Sequence, residues 1–266
     1  MADVFSINTG FFRMDGGGIF GMVPRVLWEK QHPPDELNRI SQALRSGLII
    51  DGDRKMLVDV GLGHWPDEKF CKIYALDNSH FSWEKALAPY QLSPTQITDV
   101  ILTHLHFDHA GGLVCEREGR FELIFPQATI WMQRRQWEWA HHPALKDRRS
   151  YLPPYLGAIA AHDRCQLLDG ASAVTGSVSV MVFDGHTPGM QTVLVHTQEQ
   201  ICWFPADLIP MAFHLPPHYH MAFDNDPVLL CQEKESILHR AKAEQWTLFF
   251  YHEPLNAAAT HKFTAS

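Results

Sequence analysis

Short apolar runs separated by turn residues recur along the whole chain, and two different periods can be read from them. Compact apolar runs with β-branched residues predict strands, at 48–60 (a hairpin around 51–53), 99–103, 128–131, 177–183, 191–196, 200–205 and 246–251. Longer stretches with helical spacing predict helices, at 66–76, 81–89, 134–140 and 228–243. Strands and helices interleave in both halves, which favours an α/β fold whose sheets are covered by helices in layers.

Two stretches have no clear period. The stretch 208–227 is rich in Pro, His, Met and Phe, and a long irregular loop inside a compact domain is usually functional. The stretch 15–24 is rich in glycine but is not a G-x-G-x-x-G loop leading into a helix, so a nucleotide loop is not indicated. It predicts either a glycine turn between the first strands or a flap over a site.

Composition limits the class of protein. The 266 residues suffice for one large core, so we expect a single domain over 1–266. Lys and Arg total 22 against 30 Asp and Glu, and a net charge of −8 disfavours binding to nucleic acid or to an anionic membrane surface. Five widely spaced cysteines without a C-x-x-C pair, no signal-like start and no membrane-length apolar run predict a soluble, cytoplasmic protein.

Histidine is frequent, with 17 copies, and one group of histidines is dense. His104, His106, Asp108 and His109 lie within six residues, directly after a predicted buried strand. Alternation points His104 and His106 the same way, and the following turn can bring Asp108 and His109 back to that point. Such a group is costly to bury without a cation, so the spacing predicts a metal site.

The string His-Leu-His-Phe-Asp-His resembles the H-x-H-x-D-H signature of the metallo-β-lactamase-fold hydrolases. The resemblance implies a four-layer αββα sandwich with a dinuclear metal site at one sheet edge, and three further ligands downstream. His186 in a Gly-rich turn, Asp207 after a strand and His252 after the last strand match them. The implied ligand sets are His104, His106 and His186 for one metal, Asp108, His109 and His252 for the other, and Asp207 bridging both.

Imidazole and carboxylate ligands without a thiolate suit two divalent metal ions, with Zn²⁺ first and Mn²⁺, Fe²⁺ or Co²⁺ open. Two such metals lower the pKa of a shared water. The implied activity is a metal-bridging hydroxide that opens a lactone or cleaves a carboxylic ester, with Asp108 as the catalytic residue that orients it. Phosphotriester or phosphodiester hydrolysis on the same site stays open, as do an iron-dependent redox protein and an inactive metal-binding scaffold.

The organisation is similar to lactonases that cleave acyl-homoserine lactones and to related organophosphate hydrolases, on Phe107 and on the segment 223–227. Those lactonases usually carry a Tyr three residues after the bridging Asp, where this chain has Pro210. The candidates for a replacement donor are His214, His218, Tyr219 and His220, which otherwise belong to a solvated loop.

The irregular stretches also predict an apolar pocket over the metals for a small, apolar or acyl-bearing substrate. The predicted pocket residues are Phe20, Met22, Phe107, Met211, Phe213 and His214. A homodimer stays open as a further partner.

Overall fold

The elements of the chain alternate between strands and helices in both halves. A computed structural model describes residues 2–255 and 259–264. The strands are β1 (Asp3–Asp15), β2 (Arg39–Asp51), β3 (Arg54–Val58), β4 (Asp99–Ile101), β5 (Val114–Arg117), β6 (Arg120–Leu123), β7 (Thr129–Gln133), β8 (Cys165–Leu168), β9 (Ser172–Ala173), β10 (Val178–Phe183), β11 (Met190–His196), β12 (Ile201–Phe204), β13 (Thr247–Phe249) and β14 (Thr260–Lys262). The helices are α1 (Gly16–Phe20), α2 (Arg25–Trp28), α3 (Glu68–Tyr74), α4 (Trp83–Leu87), α5 (Phe107–Ala110), α6 (Arg134–His141), α7 (Pro153–Ala160) and α8 (Pro227–Ala243).

Twelve of the strands assemble into two six-stranded sheets. The first has the order β1-β2-β3-β4-β7-β8, and the second has the order β14-β13-β12-β11-β10-β9. In the first sheet β1, β2 and β3 are antiparallel, whereas β3, β4, β7 and β8 are parallel. In the second sheet only the β12–β13 pair is parallel. Strands β5 and β6 form a separate hairpin.

Alternating side chains divide the sheets into an inner and an outer face. Ile49, Ile101 and Val193 point into a core shared by the two sheets. Their neighbours Leu48 and Val100 point outward into a core that α4 and α7 cover. This period of two places apolar residues on both faces of each sheet, as a sheet buried on both sides requires.

Helix α8 covers the outer face of the second sheet. Asp226 caps it by accepting a hydrogen bond from the backbone N–H of Leu229 at 2.9 Å, and Pro227 occupies the first helical position, where no N–H is needed. Ile237 and Ala241 pack into the same core as Trp203 of β12. The order of layers is therefore helix, sheet, sheet, helix, and the predicted four-layer αββα fold is confirmed.

The predicted elements are recovered with shifted ends. The hairpin at 48–60 is the β2–β3 pair, but β2 begins nine residues earlier, at Arg39, and pairs along its length with β1. Strand β4 ends at Ile101, two residues before the predicted end at 103. The Gly-rich stretch 15–24 contains the short helix α1, with Asp15 accepting a hydrogen bond from the N–H of Gly18. No helix among the described residues combines the length and the apolar character that crossing a bilayer needs.

Candidate metal centre

The dense histidine segment lies in the turn that follows β4. His106 is the N-cap of α5, and Asp108 and His109 lie in that helix. Close packing sets the path of the turn: a Cβ on Gly112 would lie 1.9 Å from the carbonyl oxygen of Val60, so only glycine fits there. Tyr251 donates a hydrogen bond to the carbonyl of Asp108 at 2.6 Å.

The three downstream candidates reach the same place from the second sheet. His186 follows β10, Asp207 lies in the 3₁₀ turn after β12, and His252 follows β13. These three strands run in the same direction, so their carboxyl ends meet at one edge of the sheet. All seven candidate ligands are buried. They are His104, His106, Asp108, His109, His186, Asp207 and His252.

The first triad consists of three imidazoles. Nε2 of His104 lies 3.0 Å from Nδ1 of His106, and Nε2 of His186 lies 3.2 Å from the same Nδ1. The ligand atoms of the three residues lie within 4.8 Å of one another. This arrangement places three imidazole nitrogens around one small volume.

The second triad contains Asp108, His109 and His252, and its ligand atoms also lie within 4.8 Å of one another. Nε2 of His252 is 3.5 Å from Oδ2 of Asp108. Asp207 lies between the triads. Its Oδ1 is 3.3 Å from Nε2 of both His109 and His252, and its Oδ2 is 3.4 Å from Nε2 of His186. One carboxylate oxygen therefore faces each triad.

The electrostatics of this ligand cluster, as we call the seven residues, favour bound positive charge. Burial and the neighbouring histidines hold the pKa of His104 and His106 well below the usual range, which keeps these imidazoles neutral. Burial would also lower the pKa of His109, but Asp207, Asp59 and Asp108 outweigh it and raise that pKa well above its usual range. Carboxylates that stabilise positive charge on an imidazole in this way also attract a metal cation.

The donor set fits divalent metals. Nε2 of His109 and Oδ1 of Asp207 are buried without a hydrogen-bond partner among the described residues. Unpaired buried polar atoms are costly, and these two belong to the ligand cluster, where a metal ion would pair with them. Five imidazoles and two carboxylates, with no thiolate, are ligands that zinc and its neighbours in the first transition series accept.

Residues outside the ligand cluster orient its histidines. Nδ1 of His109 donates to Asp59 at 2.8 Å, and Nδ1 of His186 donates to Asp224 at 2.7 Å. Nδ1 of His252 donates to the carbonyl of Ala43 at 3.0 Å. Such bonds fix the tautomer that leaves Nε2 free for metal. The sequence reading missed Asp59, whose only signal is an Asp-Val-Gly end to a buried strand.

A cavity of about 210 Å³ opens onto the ligand cluster. Of the predicted pocket residues, Phe107 lies on its wall. The wall also includes residues that the sequence analysis does not predict as pocket residues, namely apolar side chains, polar side chains and two cations. They are Met14, Ile19, Gln42, Tyr74, Lys146, Asp147, Arg149, Ser150, Met221, Ala222 and Phe223.

The remaining predicted pocket residues do not line this cavity. Phe20 and Met211 are fully buried in an apolar block beside it, formed by Ile19, Phe20, Trp28, Ile40, Met211 and Met221. Phe213 packs against this block, with its ring centroid 4.9 Å from that of Phe20. Met22 is 82% exposed and follows Gly21, the residue at which α1 ends.

His214 is buried next to the apolar block rather than at the cavity. Its ring stacks on Phe20, and its Nε2 donates to the carbonyl of Ile19 at 2.9 Å. Burial lowers its pKa to about 3, so the ring is neutral. Of the other candidate donors, His218, Tyr219 and His220 do not line the cavity either. Pro210 contributes its carbonyl, which accepts the backbone N–H of His252 at 2.9 Å.

A family model described as the metallo-beta-lactamase superfamily matches residues 45–252, a span that includes all seven members of the ligand cluster. The chain therefore belongs to the metallo-beta-lactamase superfamily.

Relatives with described activities are similar over part of the chain. An N-acyl homoserine lactonase of Bacillus thuringiensis is 29% identical over 106 residues, which are 40% of this chain and 36% of the relative. The match thus spans about a third of the length of such curated relatives.

Solved structures are similar over nearly the whole chain. A probable metal-dependent hydrolase from Staphylococcus aureus aligns with a TM-score of 0.91 and 27% identity, covering 99% of this chain and 92% of the other. AidC, a dizinc quorum-quenching lactonase, aligns with a TM-score of 0.78 and 19% identity, covering 100% and 95%. The second likeness is one of fold.

Proposed function

We propose that this protein opens a lactone or cleaves a carboxylic ester on a dinuclear centre of divalent metals, with zinc as the resident metal. The observation that carries the proposal is the position of Asp207, whose two oxygens face two separate triads of ligand atoms. The partial similarity to N-acyl homoserine lactonases and the fold shared with a dizinc lactonase favour this substrate class over others.

Each triad would hold one metal: His104, His106 and His186 the first, and Asp108, His109 and His252 the second, with Asp207 as a ligand of both. Bound metals at such a site supply Lewis acidity and a water of lowered pKa. Asp108 orients the attacking water by accepting a hydrogen bond from it. Tyr251 keeps Asp108 in place through the 2.6 Å bond to its backbone carbonyl.

The walls of the cavity define the size of the substrate. About 210 Å³ is below the range of roughly 300–1,000 Å³ that is typical of drug-sized ligands. Met14, Ile19 and Phe223 give part of the wall an apolar character. We therefore expect a small ring or a short acyl chain to be preferred to a long one.

Phosphodiester hydrolysis is the second candidate, and the cations on the cavity wall favour it. Lys146 and Arg149 both line the cavity, although the chain as a whole is acidic. Arg149 and Lys146 suit a charged diester better than a neutral triester, because cations gain most from an anionic partner.

A substrate panel on zinc-loaded and manganese-loaded protein tests both candidates. It contains a lactone, an aryl ester, a phosphotriester and a phosphodiester, each with short and long chains. We expect the lactone or ester to give the highest kcat/KM, and His106→Ala to reduce it at least a thousandfold. His239→Ala, at an exposed site on α8, is the control. A highest kcat/KM for the diester would transfer the proposal to the second candidate, and no turnover of any substrate would refute both.

A further inference from the structure

Gln42 is a buried polar residue near the metal centre that is not a member of the ligand cluster. It lies in β2, it is fully buried, and it lines the cavity together with Asp207 and His252. Both of its amide atoms, Nε2 and Oε1, lack a hydrogen-bond partner among the described residues. The chain therefore places an unused donor and an unused acceptor beside the metal centre.

An amide in this state is unfavourable for folding. Leaving a buried polar group unpaired destabilises the folded state, whereas an apolar side chain of the same shape would cost nothing of this kind. Gln136 provides the contrast inside the same protein. It is equally buried, but its Oε1 accepts from the N–H of Leu105 at 3.2 Å and its Nε2 donates to the carbonyl of Pro188 at 2.7 Å.

The backbone holds Gln42 on the side of the second triad. The next residue, Ala43, accepts the bond from Nδ1 of His252 and donates its own N–H to the carbonyl of His252 at 3.2 Å. The carbonyl of Pro210 accepts the backbone N–H of His252, and the side chain of Pro210 has no hydrogen-bond donor. Gln42 thus brings a hydrogen-bonding side chain to the cavity wall that His252 also lines.

We propose that the carboxamide of Gln42 binds the leaving-group oxygen of the substrate. This inference rests on the proposed lactone or ester hydrolysis. The ester oxygen accepts from Nε2–H, and the alcohol that forms from it can also donate to Oε1. The carboxamide carries one donor group and one acceptor group. A hydroxyl group can both donate and accept a hydrogen bond, so it uses both groups, whereas an acyl oxygen can only accept.

The role of Gln42 in the reaction is to stabilise charge. The oxygen of water bonds to the acyl carbon, the bond from that carbon to the leaving oxygen breaks, and one proton of the water ends on the leaving oxygen. Gln42 transfers no proton. Its Nε2–H bond strengthens as negative charge grows on the leaving oxygen, so its contribution is larger in the transition state than in the bound substrate.

The first test compares Gln42→Met with Gln136→Met. We expect Gln42→Met to leave the Tm of the metal-free protein unchanged or raised, and to lower kcat/KM for an oxygen ester about tenfold to a hundredfold, mainly in kcat. Gln136→Met should lower the Tm, because it breaks bonds that exist. A lower Tm for Gln42→Met would mean that a structural partner already satisfies the amide, and unchanged kinetics would also overturn the inference. Gln42→Leu is the second apolar variant should Met not fold.

The second test locates the contact by replacing the leaving oxygen with sulfur, a weak acceptor. With a thioester of the same acyl group, Gln42→Met should reduce kcat/KM by less than about twofold. An equal loss on both esters would place the contact on the acyl oxygen and refute the assignment. Wild-type protein inactive on both esters would instead refute the proposed function.

In the wild type, the alcohol product should shift the NMR signal of the Gln42 side-chain NH₂, and an unmoved signal at saturation would contradict the contact.

Discussion

The ligand cluster and the apolar block lie side by side, yet they are held in place by different means. In the ligand cluster, hydrogen bonds from Asp59, Asp224 and the carbonyl of Ala43 orient the histidines from behind. In the apolar block, ring contacts such as the stacking of Phe20 on Trp28 hold the side chains. Beside the block, the buried side chains of His214 and Lys234 donate hydrogen bonds to backbone carbonyls. Directional bonds position reactive atoms, whereas packing positions a surface, so the two regions should fail differently when they are perturbed.

Asp207→Ala should have the largest effect, because it removes a carboxylate whose two oxygens face the two triads. We expect kcat/KM for the best substrate to fall at least a thousandfold, and the metal content to fall to one ion per chain or less. Metal analysis of dialysed protein and steady-state kinetics measure these changes. The control is Asp169→Ala, which removes an exposed ion pair with Arg134. Full metal content in Asp207→Ala would show that Asp207 does not hold both metals.

Asp59→Asn should have an intermediate effect that shows the cost of losing one supporting bond. Asp59 accepts from Nδ1 of His109 and from the N–H and Oγ1–H of Thr103, at 2.7 to 2.8 Å. Asparagine keeps one acceptor oxygen, so we expect metal affinity to weaken about 10- to 100-fold. Competition with a chelating dye measures the affinity.

Asp224→Asn is the matched comparison, since Asp224 supports His186 of the other triad. The two substitutions should weaken different metals, so their losses should add in the double variant. A double variant no weaker than either single one would contradict two separately supported triads.

The contrast between the two regions also explains what the sequence could predict. The ligand cluster was accessible because four of its members lie within 104–109, and the other three follow strands in the order that the family resemblance implies. Phe20 and Phe213, which the sequence predicts in the pocket, do not line the cavity. A side chain in an irregular stretch has no period that assigns it a face, and α1 turns Phe20 into the apolar block. The long pairing of β1 with β2 was missed because contacts between distant residues leave no local pattern.

Lys234→Met should destabilise the fold while leaving metal binding unchanged. Lys234 is fully buried, and its Nζ donates to the carbonyls of His214, Pro216 and Tyr219 at 2.6, 3.1 and 2.5 Å. Loss of these charge-assisted bonds should lower the free energy of unfolding by about 3 kcal/mol. Urea unfolding measures this change, and Lys242→Met, exposed on the same helix, is the control. A loss of metal from Lys234→Met would show that the two regions are not independent.

His214 gives the smallest effect, one that disappears above neutral pH. Burial lowers its pKa from 6.5 to about 3. Between these values the unfolded chain binds a proton that the folded chain does not, so stability falls as the pH falls through that window. At pH 5 the loss from this residue is about 2 kcal/mol. His214→Gln should therefore lose less stability than the wild type between pH 7.5 and pH 5 in metal-free protein, whereas His218→Gln, at an exposed site, should follow the wild type. An equal loss of stability in all three proteins would mean that His214 is protonated in the folded state at pH 5. The apolar block would then lie next to a buried charge.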